Sequence, residues 1–297
     1  MELKSFANPL ELKEAVFPFL FRNEAANCLC LGIIETLISR PQTFPEAHLW
    51  AVYDQGQIVG AAWLTPPRPF GLTKMPDAAI PLLVAEAARR NDQLDGVIGA
   101  PAQAGRFRDL WINRSHQSIK SSMAQRIYQV SEVKLPRDIT GLMRRAVADD
   151  QRLLEEWMLA FSSDCGLHEN AERIRASAIR VIEMKSHFLW EHEGRPLAMA
   201  GAGGATPSGI RITWVYTPRE LRRRGYASAL VATLSQKMLS EGKKFCFLYT
   251  DLANPTSNSI YQRIGYREVC DSSFHQFNPL GRDNQAPIKA HSSRACG

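Results

Sequence analysis

Apolar positions along this chain switch between two periods, one near 3.6 and one of 2, and the switches mark out elements. Asn8 ahead of Pro9 predicts a helix cap followed by a first-turn proline, with the helix ending near Phe17 because Pro18 follows. Leu29, Ile33 and Leu37 share one face of a predicted helix over 24–39. Residues 48–53 and 57–64 alternate as strands, joined by the turn sequence Asp54-Gln55-Gly56. Pro66, Pro67 and Pro69 then break the chain. Further on, the pattern predicts a helix over 77–91 with Pro81 in its first turn, a strand over 96–100, a helix over 103–111 and a strand over 125–134 that Pro136 ends.

The same order then returns. Asp149 or Asp150 caps a predicted helix running through Phe161, and Ile174, Ala178 and Ile182 mark a second over 169–184. Strands are predicted over 187–191, 196–202 and 209–216, a helix over 224–240, a strand over 245–250, a helix over 254–264 and a strand over 268–277. A boundary falls near 136–140. The fold class is α/β (α+β), with two related domains, 1–136 and 137–278, each a mixed, mostly antiparallel sheet flanked by helices. A polar tail, 279–297, is expected to be flexible.

Composition changes this picture little. The 297 residues are 45% hydrophobic and 22% charged, which excludes a disordered chain and supplies material for two cores. No apolar stretch is long enough to span a membrane, and the N-terminal residues lack the apolar run of a signal peptide, so a cytoplasmic protein is expected. Six cysteines are irregularly spread, as free buried thiols are. Cys28-x-Cys30 lacks a second ligand pair, and Cys165-x-x-His168 lacks a partner pair, so no metal site is expected. The formal charge of +6 is concentrated, because residues 219–224 alone carry four arginines and one glutamate. That placement argues against a nucleic-acid surface, which would spread its basic groups along a stripe.

The concentrated charge sits where chemistry is available. A β-branched strand ends at Thr217-Pro218, and Arg219-Glu220-Leu221-Arg222-Arg223-Arg224 leads into a helix that opens at Gly225-Tyr226-Ala227. A helix start presents unpaired amides and partial positive charge. Gly225 and the small Ala227 allow close approach of a ligand, and three arginines stand behind them. Such a turn holds a diphosphate. It is not a Walker loop, because no Gly-Lys-Ser/Thr follows. By contrast, Gly201-Ala202-Gly203-Gly204 leads into a strand and reads as a plain turn.

Arg222-x-x-Gly225-x-Ala227 after a strand resembles the pyrophosphate loop of the GNAT superfamily of acyl-CoA N-acyltransferases. The segment Asn254-Pro255-Thr256-Ser257-Asn258-Ser259-Ile260-Tyr261, followed by Gly265-Tyr266, is similar to a second landmark of that family, in the same order. The motifs cover about 210–270, and the element order extends the resemblance over about 140–277.

The resemblance implies acetyl-CoA as cosubstrate. The strand's backbone at Val215, Tyr216 and Thr217 would receive the pantetheine arm. Arg222, Arg223, Arg224, Gly225, Tyr226 and Ala227 would hold the diphosphate, and Asn254 and Ser257 would meet the cofactor further on. Tyr261 would protonate the departing thiolate, for which a neutral phenol has the proton available. It also reads as a core aromatic, flanked by Ile260 and Ile264. No carboxylate stands on the strand Arg211-Ile212-Thr213-Trp214, so the general base is open among Glu156, Asp164, Glu191, Glu193 and a water chain. Trp157 and Phe161 read as core or as acceptor pocket.

The first half has the family's strand pattern at 48–64 but no loop of that kind before its helix at 77–91, and no tyrosine near Phe107 and Trp111. It reads as a degenerate copy that lost the cofactor loop and shapes the acceptor cleft. A chain holding two such folds has less need of a homodimer partner, and a monomer is expected, with a homodimer as the alternative. The implied reaction is acetyl transfer to a primary amine of a small or amino-acid-like acceptor by direct attack. A protein or peptide amine and a non-catalytic CoA sensor are the alternatives.

Overall fold

The computed structural model describes residues 1–90, 93–167 and 169–280. His168, Cys296 and all of the tail beyond Leu280 lie outside the described residues.

Two runs of ten elements succeed one another in the same order. The first comprises β1 (Glu2–Phe6), α1 (Pro9–Phe21), α2 (Cys28–Ser39), β2 (His48–Asp54), β3 (Gln57–Leu64), β4 (Phe70–Leu72), α3 (Ile80–Arg90), β5 (Gly96–Gly99), α4 (Pro101–Ser115) and β6 (Ile119–Val130). The second comprises β7 (Leu142–Arg145), α5 (Gln151–Asp164), α6 (Ala171–Glu183), β8 (His187–His192), β9 (Arg195–Gly203), β10 (Gly209–Tyr216), α7 (Tyr226–Ser240), β11 (Phe245–Asp251), α8 (Pro255–Ile264) and β12 (Arg267–Phe277).

The local chemistry accounts for most boundaries. Asn8 accepts the Leu10 amide at 2.9 Å and caps α1, and Asn170 accepts the Glu172 amide at 2.7 Å and caps α6. Three expectations need correction. Helix α1 runs through Pro18 to Phe21, because Pro18 sits on the exposed side while Leu12, Val16 and Leu20 carry the helix on the core. Asp150 does not cap α5. Its carboxylate takes the Val147 amide at 2.8 Å and pairs with Arg144 at 2.7 Å. Strands β1, β4 and β7 escape the periodicity, since three to five residues give too short a period to read.

All twelve strands form one sheet in the order β1-β2-β3-β4-β5-β12-β6-β11-β10-β9-β8-β7. Most neighbours are antiparallel; β4 with β5 and β10 with β11 are parallel. The last strand of each run crosses over. β6 pairs with β11 through Val130–Cys246 to Gln125–Asp251, and β12 pairs with β5 through Ser273–Gly99 to Gln276–Gly96. At the centre β6 and β12 lie antiparallel along most of their lengths, which relates the two runs by an approximate two-fold.

Helices cover both faces. Phe6, Leu12, Leu31, Ile34 and Trp63 form the core under α1 and α2, and Leu154, Trp157, Met158, Ile174 and Tyr216 the core under α5 and α6. On the other face, α3 and α4 close over Trp50, Phe70, Phe107 and Trp111, and α7 and α8 over Leu230, Leu234, Tyr261 and Tyr266. Among the described residues no helix is long and apolar enough to cross a membrane.

Candidate active site

The site begins where two parallel strands part. β10 pairs with β11 only at Gly209, Ile210 and Arg211, opposite Phe245, Cys246 and Phe247, and the strands have no pairing beyond. On its other edge β10 pairs with β9 at Thr213–Gly201, then slips before Tyr216–Met199. The slip is a bulge with Trp214 at φ 54°, a left-handed conformation that costs a bulky residue energy and persists where surrounding packing enforces it. Its ring packs against Phe161 at 5.2 Å between centroids, which fixes the kink. Val215 thus stands on a strand edge that faces the opening, and Tyr216 is buried against Trp157 at 6.1 Å.

The chain then winds into α7. Arg223 and Gly225 are both left-handed, at φ 64° and 85°. Glycine suits 225, because the conformation is left-handed and a Cβ there would also lie 2.6 Å from Ile139 Cδ1. No side chain caps α7, and its first internal bond runs from the Ala229 amide to the Gly225 carbonyl at 2.9 Å. The preceding amides, Tyr226 and Ala227 among them, keep the donor character of a free helix start. Arg223 and Arg224 are exposed at this turn.

Arg222 is placed differently. Its guanidinium folds back, donating to the Thr217 carbonyl at 2.9 Å and to Asp164, and lies 5.7 Å from the Tyr216 ring. Arg219 donates to the same Asp164 carboxylate at 2.6 Å. These bonds, Arg219's first, hold the Asp164 carboxyl below its ordinary value, so it is unsuited to take a proton from an amine. Glu191 is likewise engaged by Arg144 at 2.5 Å, Glu193 sits on an exposed hairpin, and Glu156 faces solvent. Of the carboxylates that the sequence offers as base, none is both free and placed at the opening.

At the far side of the opening, Asn254 caps α8 by accepting the Ser257 amide at 3.0 Å. Tyr261 is 7% exposed, packs edge-on to Tyr266 at 6.0 Å, and has no hydrogen-bond partner for its hydroxyl among the described residues. Burial raises its pKa, with Cys165 adding to the effect, so the phenol stays protonated well above neutral pH. Tyr261 is therefore both a core aromatic and an uncommitted hydroxyl. Trp157 and Phe161 serve the core.

A cavity of about 320 Å³ adjoins this region, lined by Ser121, Ser122, Met123 and Ala124 of β6, by Cys165 and Gly166, and by Asp251 and Ala253. Asp251 is its one carboxylate among the described residues, and its Oδ1 accepts the Ala253 amide at 2.8 Å. Sequence reasoning missed Asp251. The only signal was its position as the last residue of a strand, which is what brings it beside a crossover strand from the other half. A larger hollow, about 840 Å³, lies between α1, α2 and Ala205–Pro207, away from the loop and from Tyr261. No group of three or more metal-ligating side chains occurs among the described residues.

Residues 151–266 match the family model described as the acetyltransferase (GNAT) family. The second half of this chain carries a GNAT domain. The match spans the parted strands, the uncapped helix start and Tyr261, and marks this half as an acyltransferase domain of that family. Its fold is shared with solved structures at low identity. A Drosophila protein superposes with TM-score 0.68 at 13% identity, over 93% of this chain and 98% of that one. A GCN5-related N-acetyltransferase from Sphaerobacter thermophilus gives 0.60 at 16%, over 92% and 94%. A tandem GNAT protein from the clavulanic acid biosynthesis pathway gives 0.52 at 14%, over 94% and 100%. The latter two superpositions extend over both halves of the chain, so the shared fold is not confined to the matched domain. No curated protein matches the chain.

Proposed function

We propose that the protein transfers an acetyl group from acetyl-CoA to a primary amine by direct attack on the thioester, with the cofactor held by 137–278 alone. The observation that carries this reading is the parting of β10 and β11 immediately before an uncapped, arginine-flanked helix start. A pantetheine arm fits along Val215, Tyr216 and Thr217, and the diphosphate fits the amides of Gly225, Tyr226 and Ala227 with Arg223 and Arg224 beside them. Arg222 holds the turn to Asp164 and reaches the ligand only by exchanging that bond. Asn254 and Ser257 close the other side of the cofactor.

Holding the two substrates together supplies most of the rate, and an amide near the bulge polarises the carbonyl. Tyr261 donates to the sulfur as charge develops there. With its pKa raised, it acts more as a hydrogen-bond donor to the thiolate than as a complete proton source. Asp251, on the cavity wall, receives the amine proton, directly or through water. Two domains of related fold, 1–136 and 137–278, act as an internal pseudo-dimer in a monomer. The five free cysteines among the described residues suit a reducing, cytoplasmic setting.

A panel of amines with acetyl-CoA, read by release of free thiol, tests the reading. Thiol release that depends on an amine, with acetyl-CoA raising the melting temperature, supports it. A rise in melting temperature with no amine turned over would leave a CoA sensor instead.

A further inference from the structure

Strand β6 outruns the strand beside it. It has 12 residues, and β11 pairs with 125–130 only. β12 lies along the other side of β6, and among the described residues no third strand pairs with it. The edge that β11 leaves is therefore open over 121–124. Asp251 explains why β11 stops. Its Oδ1 accepts the Ala253 amide at 2.8 Å, and its carbonyl accepts the Asn254 amide at 3.1 Å and Asn258 Nδ2 at 3.0 Å, which turns the chain off the sheet and into α8.

One bond gives the direction of the open backbone groups. The Leu252 amide donates to the Ala124 carbonyl at 2.9 Å, so residue 124 turns its N–H and C=O toward β11. These groups alternate in direction along a strand, so Ser122 turns both of its own the same way, beyond the point where β11 has left. The Ala124 N–H and the Ser122 N–H and C=O have no backbone partner on that side among the described residues. The cavity of about 320 Å³ lies along this edge. Four consecutive residues of β6, 121–124, line it, whereas one face of a strand would offer only every second residue. Across it stand Cys165 and Gly166, and Gly166 has open space where a side chain would project. A free edge with room beside it is a template that an extended peptide completes.

One end of the edge is acidic. Asp251 lines the cavity where β11 ends, and its Oδ2 accepts no hydrogen bond among the described residues. Gln125, its partner in register, has a buried Oε1 without a donor. Two acceptors there suit an ammonium. β11 runs antiparallel to β6, so a peptide that continues its line in the same sense meets Asp251 with its N-terminus. Laid the opposite way, it would bring a C-terminal carboxylate against Asp251, like charge on like charge.

We infer that the acceptor is the N-terminal α-amine of an extended peptide, laid antiparallel along the open edge of β6 at 121–124 with its ammonium at Asp251. This rests on the acetyl-transfer reading and names its substrate class. The ammonium gives one proton to Asp251, its nitrogen bonds to the acetyl carbon, and the C–S bond breaks. The thiolate takes the proton that the nitrogen then sheds, so the products are an N-acetyl peptide, CoA and one released proton. The edge belongs to the first half and the carboxylate to the second, so neither half holds the site alone.

The test uses the full chain, acetyl-CoA, and tetrapeptide amides Xaa-Ala-Ala-Ala varied at the first residue, against the matching amino-acid amides. The best tetrapeptide should exceed its amino-acid amide at least tenfold in kcat/KM. Single N-methylation along that tetrapeptide should cost about fivefold or more at alternate amides and little between them, because only every second amide faces β6. Ser122→Pro, which removes one edge donor, should erase most of the tetrapeptide preference. The N-methyl series needs no variant, so misfolding of Ser122→Pro leaves the test intact. Equal kcat/KM for the two ligand sets, N-methyl effects that do not alternate, or a preference that survives in folded Ser122→Pro overturns the inference, and turnover of amino-acid amides would then leave acetyl transfer standing. If no amine is turned over, calorimetry with CoA present reads the same series as Kd. Alternation there supports the peptide edge and refutes acetyl transfer alone, and absence of peptide binding overturns both.

Discussion

Each half of this protein has a helix that follows a strand pair parallel at its start, and the two helices begin in opposite ways. At α3 the chain supplies its own anion. Asp77 sits in the turn leading into the helix and accepts Gln103 Nε2 at 3.2 Å, while Gln103 also donates to the Met75 carbonyl at 3.0 Å. At α7 there is no side-chain cap, a left-handed glycine, and exposed arginines. The same element, at the same place in the fold, carries an acidic side chain at its start in one copy and none in the other. A helix start favours negative charge, so the second copy is the one left suited to the proposed cofactor.

The contrast extends across the sheet. Counted from the proline that opens each helix, Tyr261 in α8 corresponds to Phe107 in α4, which is fully buried and stacks on Phe70 at 4.7 Å. Arg211, between Gly203 and Phe247, corresponds to Gly71, between Trp63 and Ile98. In the first half the Trp63 ring fills the space that Gly71 leaves, for a Cβ there would be 1.9 Å from it. The first half uses for packing the positions that the second keeps polar.

The largest way to break this comparison is to separate the halves. Residues 137–297 expressed alone lack β6 and leave an unpaired edge on β11. We expect no folded monomer by circular dichroism, and recovery of acetyl-CoA binding on co-expression with 1–136. A stable, CoA-binding second half would show the crossover to be dispensable.

Tyr261→Phe should lower kcat about 10²-fold with little change in KM for acetyl-CoA, because the hydroxyl acts on charge present only in the transition state. Its counterpart Phe107→Leu should leave kcat within about twofold and lower Tm through the poorer packing of its core. Steady-state kinetics and melting curves on both variants read the difference.

His187 comes next in size. It occupies β8 opposite Gly201, whereas the corresponding pair in the first half is Ala51 and Ala61. Both its ring nitrogens are buried without partners, and burial lowers its pKa from 6.5 to about 4. Above pH 6.5 the ring is neutral folded or unfolded. As pH falls below 6.5 the unfolded chain takes the proton first, so stability declines until about pH 4. At pH 5 the loss is about 2 kcal/mol. His187→Leu should flatten that part of the stability–pH curve measured by urea unfolding; an unchanged curve would locate the acid sensitivity elsewhere.

The smallest effect concerns Gly225→Ala. The left-handed conformation and the Ile139 contact should cost about 1–2 kcal/mol and weaken acetyl-CoA binding about tenfold. Gly71→Ala, clashing with Trp63, should lower Tm at least as much and leave the acetyl-CoA Kd unchanged. Titration calorimetry of the two variants separates a binding glycine from a packing one.

Much of this is legible in the amino-acid sequence. Asn8 with Pro9, the hairpin at Asp54-Gln55-Gly56, and the run from Arg222 to Ala227 act through their immediate neighbours, so local sequence reports them. Gly225 can be read as the opening of a helix because only its own backbone and the next turn are involved. Strand β7 cannot be read, because four residues of mixed polarity acquire meaning only beside β8.

What the sequence determined by itself was the order of elements, their repetition, and the loop and tyrosine of the second half, since each rests on spacings of a few residues. The tertiary structure decided what those spacings cannot carry. It exchanged β6 and β12 between the halves, tied Arg222 to Asp164, and left Asp251 on a cavity wall. Each joins residues far apart in the chain, and such pairs are chosen by the packing of whole faces against one another, which no short window of sequence contains.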